Sequence, residues 1–232
     1  NRTHPAAQAL EERGARAVSS AEETLSSDIA ITMLADDAAL EAVWITPDLP
    51  PKMPPGTVHL NMASVSLAMA RRLATLHAAC GAQYVSAPVF GRPHAARAGA
   101  LDIVAAGARE AIARCTPVFE HLGKQWFDLG TDATQANIVK IARNYLLGTI
   151  VESLGEAFAL VAKSGVEPAR FLDIITSTSM SSPAYRNYGR MIIEKPEPTF
   201  PLRLGLKDVE LALRAGDETG VPMPMAAVIR EQ

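Results

Sequence analysis

The sequence predicts an α/β domain built on a doubly wound parallel sheet, followed by an all-helical domain. Three observations carry this. Short apolar runs alternate with helical patterns over the first 130 residues; several of those runs are apolar on both faces; and from Asn137 onward every pattern is helical.

"DIAITML" (28–34), "TVHLNM" (57–62), "AQYVSAP" (82–88), "LDIVAAG" (101–107) and "QWFDL" (125–129) read as strands. Between them "AAQALEERG", "AALEAVW", "LAMARRLATLHAACG" and "REAIARCTPVFEHLG" read as helices, some closing on a glycine. Strand, helix, strand repeated in this way argues for a parallel sheet covered on both sides. After "GTDATQAN" come a long helix and four more at 168–177, 182–193, 203–219 and 223–230, broken by "EKPEPTFP" and "VPMP". The boundary falls near residue 134, giving domains 1–133 and 134–232, the second entered through the long helix.

A nucleotide-binding domain of this type would open on a glycine-rich strand-to-helix turn, and no G-x-G-x-x-G is present. "NRT" directly precedes a helix, where the second strand of such a domain would end. The expectation is that an N-terminal βα unit of roughly 30 residues precedes this sequence. "MAAVIREQ" likewise stops in mid-helix.

The 232 residues are 48% hydrophobic and 20% charged, which is globular. A net charge of −3 without a basic run argues against nucleic acid. No uninterrupted apolar run reaches membrane-span length and no signal peptide is visible, so a cytoplasmic protein is expected. Cys80 and Cys115 are too few for a metal site or a disulfide framework and read as packing residues. His59, His77, His94 and His121 show no ligand spacing, and no metal is expected.

The long helix carries an anomaly. Counted at 100° per residue from Lys140, the residues Asn137, Asn144, Gly148, Val151 and Gly155 fall within an arc of about 80°. Lys140 and Asn144 therefore share one face, beside two glycines that would admit a close approach. Either Lys140 snorkels from a packed helix, or its charge has been placed for chemistry.

Four stretches decide between these. "YVSAPVFGRPHAARAGALDIVAAG" resembles the D-A-P-V-S-G-G segment and following strand of the β-hydroxyacid dehydrogenases. "NIVKIARN" resembles that family's K-x-x-x-N, "LRLGLKDVELALRAG" its G-x-K-D, and "ITMLADDAALEAV" its adenine-side strand and loop. The four occur in family order over nearly the whole chain. The resemblance is to 3-hydroxyisobutyrate dehydrogenase-like enzymes of the 6-phosphogluconate dehydrogenase superfamily. It implies a Rossmann-like first domain, NAD(P)-dependent interconversion of a small hydroxy acid and its carbonyl form, and a substrate cleft between the domains.

Carbonyl reduction by hydride needs a proton donor for the forming alkoxide and a cation beside it. A lysine serves both ends if burial lowers its pKa from about 10.4. The resemblance makes Lys140 that residue and Asn144 the group that fixes substrate or water. It places Met33, Leu34, Ala35 and Ala39 on the adenosine side, Ser64 on the nicotinamide side, and Lys207 over the cofactor. Asn1, Arg2 and Thr3 would take the 2′-phosphate, since an arginine forks onto phosphate and no acidic residue stands there to hold a free hydroxyl. NADPH is therefore expected over NADH.

Ser64, Phe90, Gly91, Arg92, Lys140 and Asn144 would line the substrate site. The family pattern breaks there: "NMAS" puts Ala63 where a serine is usual, and "FGRP" puts Phe90 and Arg92 where serine and glycine are usual. Phe90 and Pro93 make the pocket tighter and more apolar; Arg92 either grips a carboxylate or points to solvent. The substrate is then a small hydroxy acid or semialdehyde, a less acidic carbonyl, or an imine. An idle dinucleotide-fold scaffold is the rival reading. The outer apolar surface of the helical domain is expected to bury against a second copy in a homodimer.

Overall fold

The computed structural model describes residues 4–195, 197 and 201–232. The chain divides into two compact units, Asn1–Lys140 and Ile141–Gln232.

In the first unit, β1 (Ile29–Thr32), β2 (Val58–Asn61) and β3 (Gln83–Ser86) run parallel, with Thr32, Asn61 and Ser86 as register partners at their carboxyl ends. All four residues of β2 are buried, as a strand covered on both faces requires. Ala30 and Tyr84 contribute to a core with Leu40, Trp44 and Leu73. Val58, Leu60 and Val85 belong to a second core with Ile103 and Phe119.

Beyond β3 the sheet is mixed rather than wholly parallel. Pro88 offers no N–H, and the connection from β3 carries only the two-residue β4 (Val89–Phe90) and a short helix before the next strand. Without a full crossover helix, β5 (Leu101–Gly107) returns antiparallel to both β3 and β4. The 14-residue helix Arg109–Leu122 then supplies a true crossover, and β6 (Gly123–Asp128) pairs parallel with β5.

The helices of this unit are α1 (His4–Gln8), α2 (Asp37–Leu40), α3 (Leu67–Ala79), α4 (Pro93–Arg97) and α5 (Arg109–Leu122). Asp36 caps α2 by accepting from Ala39 N at 2.8 Å, and Ser66 caps α3 by accepting from Met69 N at 3.0 Å. Cys115 is buried on α5 as a packing residue, but Cys80 is exposed, because it stands at the C-cap of α3 where the helix leaves the core.

Helix α6 (Ala133–Lys163) is 31 residues long. It is long and apolar enough to cross a membrane by length and composition, with a mean hydropathy of 1.4 over its most apolar stretch. A count of uninterrupted apolar residues passes over it, since isolated polar residues break the run. Only 11% of that stretch is buried. Its glycines are not crowded: a Cβ at Gly148 would meet Val209 and Ile229 at an ordinary 3.9 Å, and one at Gly155 would meet nothing within 4 Å.

The second unit continues with α7 (Pro168–Thr176), α8 (Pro183–Glu194), α9 (Leu202–Thr219) and α10 (Pro224–Glu231). Its core gathers Leu154, Phe158 and Leu172, with Phe171, Ile175 and Tyr185 against them. Gly189 lets α8 close onto α7: a Cβ there would stand 2.5 Å from Leu172 Cδ1.

Candidate active site

Lys140 stands in the second turn of α6. The helix starts where it does because Asp132 accepts from Thr134 Oγ1 at 2.7 Å and from Thr134 N at 2.9 Å. These bonds, the hydroxyl first, hold the Asp132 carboxyl below its ordinary pKa. Ala133, Ala136 and Asn137 are buried, which turns this face of the first two turns inward. Lys140, half-buried, donates from Nζ to Val89 O at 2.7 Å, and the same nitrogen lies 5.1 Å from the centroid of the Phe90 ring. Adjacent residues of β4 thus hold the ammonium with a carbonyl and an aromatic face. Phe90 is itself packed on Val104, Ala106 and Ala136.

Gly91 follows with φ at 143°, where a Cβ would stand 2.6 Å from Leu101 Cδ2. Arg92, half-buried and extended, precedes Pro93 at the start of α4.

Of the cofactor-side residues expected from the sequence, Met33, Leu34 and Ala35 follow β1 and Ser64 follows β2. Met33 (64% exposed) and Ala35 lie open beyond β1, while Leu34 packs on the core beneath. Ala39 lies in α2, and Ser64 is half-buried in the loop after β2, next to the fully buried Ala63. Ser66 N donates to Asp37 Oδ1 at 3.0 Å and ties the two loops together. Asn1, Arg2 and Thr3 lie outside the described residues.

In the helical unit Asn144 donates from Nδ2 to Asp208 Oδ2 at 2.8 Å, and Lys207 Nζ lies 3.4 Å from Asp208 Oδ1. Asn144 and Lys207 therefore share one carboxylate. The sequence reading missed Asp208, although it adjoins Lys207 in "GLKD". The hydroxyl-rich stretch 177–189 forms an open concavity lined by Ser181, Ser182, Pro183, Arg186 and Asn187, and Ser182 caps α8 there.

Sequence reasoning also missed a buried polar row. His77 Nδ1 donates to Leu73 O at 2.7 Å, so its Nε2 is the lone-pair nitrogen that accepts from Trp44 Nε1 at 3.3 Å. The same Nε2 lies 3.1 Å from His59 Nδ1. His59 Nε2 is 2.9 Å from Thr32 Oγ1, itself 3.0 Å from Asn61 Oδ1. Asn61 Nδ2 donates to the Tyr84 hydroxyl at 3.3 Å. Burial pushes the Tyr84 phenol up to about 12 and drives both imidazoles down, His77 to about 4. All of these side chains are neutral at pH 7. The signal was present: Thr32, Asn61 and Ser86 each end an apolar strand on a polar residue.

Residues 1–130 match the family model of the NAD-binding domain of 6-phosphogluconate dehydrogenase, and residues 134–232 that of the NAD-binding domain of NADP-dependent 3-hydroxyisobutyrate dehydrogenase. The chain belongs to the 3-hydroxyisobutyrate dehydrogenase-like family. An uncharacterized oxidoreductase of Bacillus subtilis, YfjR, is 38% identical over 99% of this chain and 82% of its own. Glyoxylate/succinic semialdehyde reductase 1 of Arabidopsis thaliana is 31% identical over 100% and 81%. The structure of 3-hydroxyisobutyrate dehydrogenase from Mycobacterium tuberculosis shares the fold, with a TM-score of 0.88 at 24% identity over 98% and 80%. Members of this family are NAD(P)-dependent oxidoreductases acting on CH–OH groups.

Proposed function

We propose that the chain is an NADPH-dependent reductase that interconverts a small hydroxy acid and its semialdehyde or 2-oxo acid, with Lys140 as general acid and base. The observation that carries this reading is the Lys140 ammonium, half-buried and held by Val89 O and the Phe90 ring on the element where the family has its K-x-x-x-N lysine. The names of the reductase relatives support the substrate class.

The carboxyl edge of β1 supports a dinucleotide there: Met33 presents open apolar surface on which an adenine can lie. When bound, the cofactor supplies the hydride. The chain's part is to stabilise the developing alkoxide with the ammonium and then to deliver a proton from Lys140 Nζ. Asn144, one turn along the helix, orients the oxygen of the substrate or a water, its amide fixed by Asp208. Phe90 excludes water from one side of the ammonium, which strengthens its attraction for an oxyanion. The preference for NADPH rests on Arg2, with a two-fold homodimer covering the exposed apolar surface of α6 and a cytoplasmic location completing the proposal.

The test is NADPH oxidation with glyoxylate, succinic semialdehyde and cyclic imines in wild type and Lys140→Ala. The variant is expected to lose turnover by a factor on the order of 10² or more with nearly unchanged NADPH affinity. Normal turnover in Lys140→Ala would overturn the mechanism, and turnover confined to imines would move the substrate class.

A further inference from the structure

We infer that Asn137 is a positioning residue for Lys140, acting through its bond to Ser86; the inference rests on the reading of Lys140 as the proton donor. Two rungs join α6 to the end of β3 and the start of β4. Ser86 Oγ donates to Asn137 Oδ1 at 2.9 Å, and Lys140 Nζ donates to Val89 O at 2.7 Å. On the strand side the partners are three residues apart, and on the helix side they are also three residues apart, nearly one turn. The rungs are therefore stacked, and together they set both the height and the rotation of the first turns of α6 against the sheet.

The Lys140 rung alone cannot do this. A lysine reaches its partner through four rotatable bonds, so many helix positions satisfy it. Asn137 is short and 1% exposed, Ser86 is fully buried, and a bond between two such side chains fixes the backbones that bear them. Ser86 is itself held. Its hydroxyl hydrogen goes to Asn137, and as the last residue of β3 it pairs with Asn61 of β2 and Ala106 of β5.

The choice of asparagine is costly for the fold. Among the described residues its Nδ2 is buried with no hydrogen-bond partner, where an apolar residue would leave no donor stranded. A residue that strands a donor and yet sets the site of the reacting ammonium is placed for position rather than for stability.

The experiment compares wild type, Asn137→Ala and Ser86→Ala by urea unfolding, by steady-state kinetics with NADPH and succinic semialdehyde, and by the rate of reductive methylation of Lys140 followed by mass spectrometry. Expected are a tenfold or greater loss of kcat in each variant, a KM for NADPH within twofold of wild type, and at least fivefold faster methylation of Lys140. The double variant should be no worse than either single one, since one bond is lost in all three. Ser86→Ala leaves the helix sequence untouched and serves if Asn137→Ala does not fold. Unchanged methylation rates overturn the inference whether or not the wild type turns over. Faster methylation in a protein with no turnover on the panel upholds the positioning role and overturns the functional reading instead.

Discussion

Asn144 and Lys207, 63 positions apart, meet on the carboxylate of Asp208: the amide takes Oδ2 at 2.8 Å and the ammonium lies 3.4 Å from Oδ1. The bond uses the nitrogen end of the Asn144 amide and leaves its oxygen as the end available to a ligand. Asp208→Asn keeps the shape and removes the charge, so the ion pair between Lys207 and residue 208 is lost and the Asn144 amide loses a charge-assisted acceptor. Such a bond contributes about 1.5–3 kcal/mol, of which a neutral amide recovers part. A fall in kcat/KM of roughly tenfold is expected in steady-state assays, together with a loss of about 1 kcal/mol in urea unfolding.

The buried histidines make the fold acid-sensitive. His59 and His77 are fully buried, and desolvation holds both below the ordinary 6.5, with His77 at about 4. In the unfolded chain both rings bind protons near 6.5, so below that pH the unfolded state carries more protons and stability falls as pH falls. Each ring contributes a slope of about 1.4 kcal/mol per pH unit. Between pH 7 and pH 5 His77 is expected to lower the urea unfolding free energy by about 2 kcal/mol, and His59 acts in the same direction. His77→Phe should show a smaller pH slope together with lower stability at pH 7, where Trp44 Nε1 loses its acceptor.

These rings show where sequence reasoning ran out. "LDIVAAG" was legible as a strand to the residue, because a central strand is apolar on both faces and no helix pattern competes with it. Lys140 was legible because a charge on so apolar a helix stands out. His59 and His77 are 18 positions apart on a strand and a helix, and only the packing of α3 on β2 brings their nitrogens within 3.1 Å. Periodicity does not encode such a pairing. The antiparallel return of β5 was hidden for a related reason: "LDIVAAG" has the composition of a parallel strand, and its direction is set by the short connection through Pro88 and α4. Asp208 escaped notice because an acid beside a lysine is common on helix surfaces, and its partner Asn144 lies 64 residues away.

Phe90 is expected to act on the ammonium through its π face. A lysine over an aromatic ring gains about 0.5–2 kcal/mol depending on desolvation. Phe90→Leu keeps the apolar packing against Val104, Ala106 and Ala136 but removes the quadrupole. A three- to tenfold loss of kcat is expected, with the melting temperature nearly unchanged. Phe90→Tyr, which retains the π face, should lose less. Equal kinetics in the leucine and tyrosine variants would show that the ring serves only as a wall.

Gly91 is the strictest backbone requirement beside the site. Its φ of 143° is one that L side chains rarely adopt, and an added Cβ would stand 2.6 Å from Leu101 Cδ2 and 3.2 Å from Ala95 Cβ. Leu101 is 5% exposed and opens β5, so it has little room to yield. Gly91→Ala therefore combines backbone strain of about 1–3 kcal/mol with overpacking of about 1–3 kcal/mol. The two terms overlap, since a shift of the chain relieves both, and a loss of about 2–4 kcal/mol in urea unfolding is expected. That shift moves β4, which carries both Val89 O and the Phe90 ring, so turnover should fall along with stability. A Gly91→Ala protein with wild-type stability would mean that β4 can be displaced freely, and the two groups that hold Lys140 would then not be fixed by the sheet.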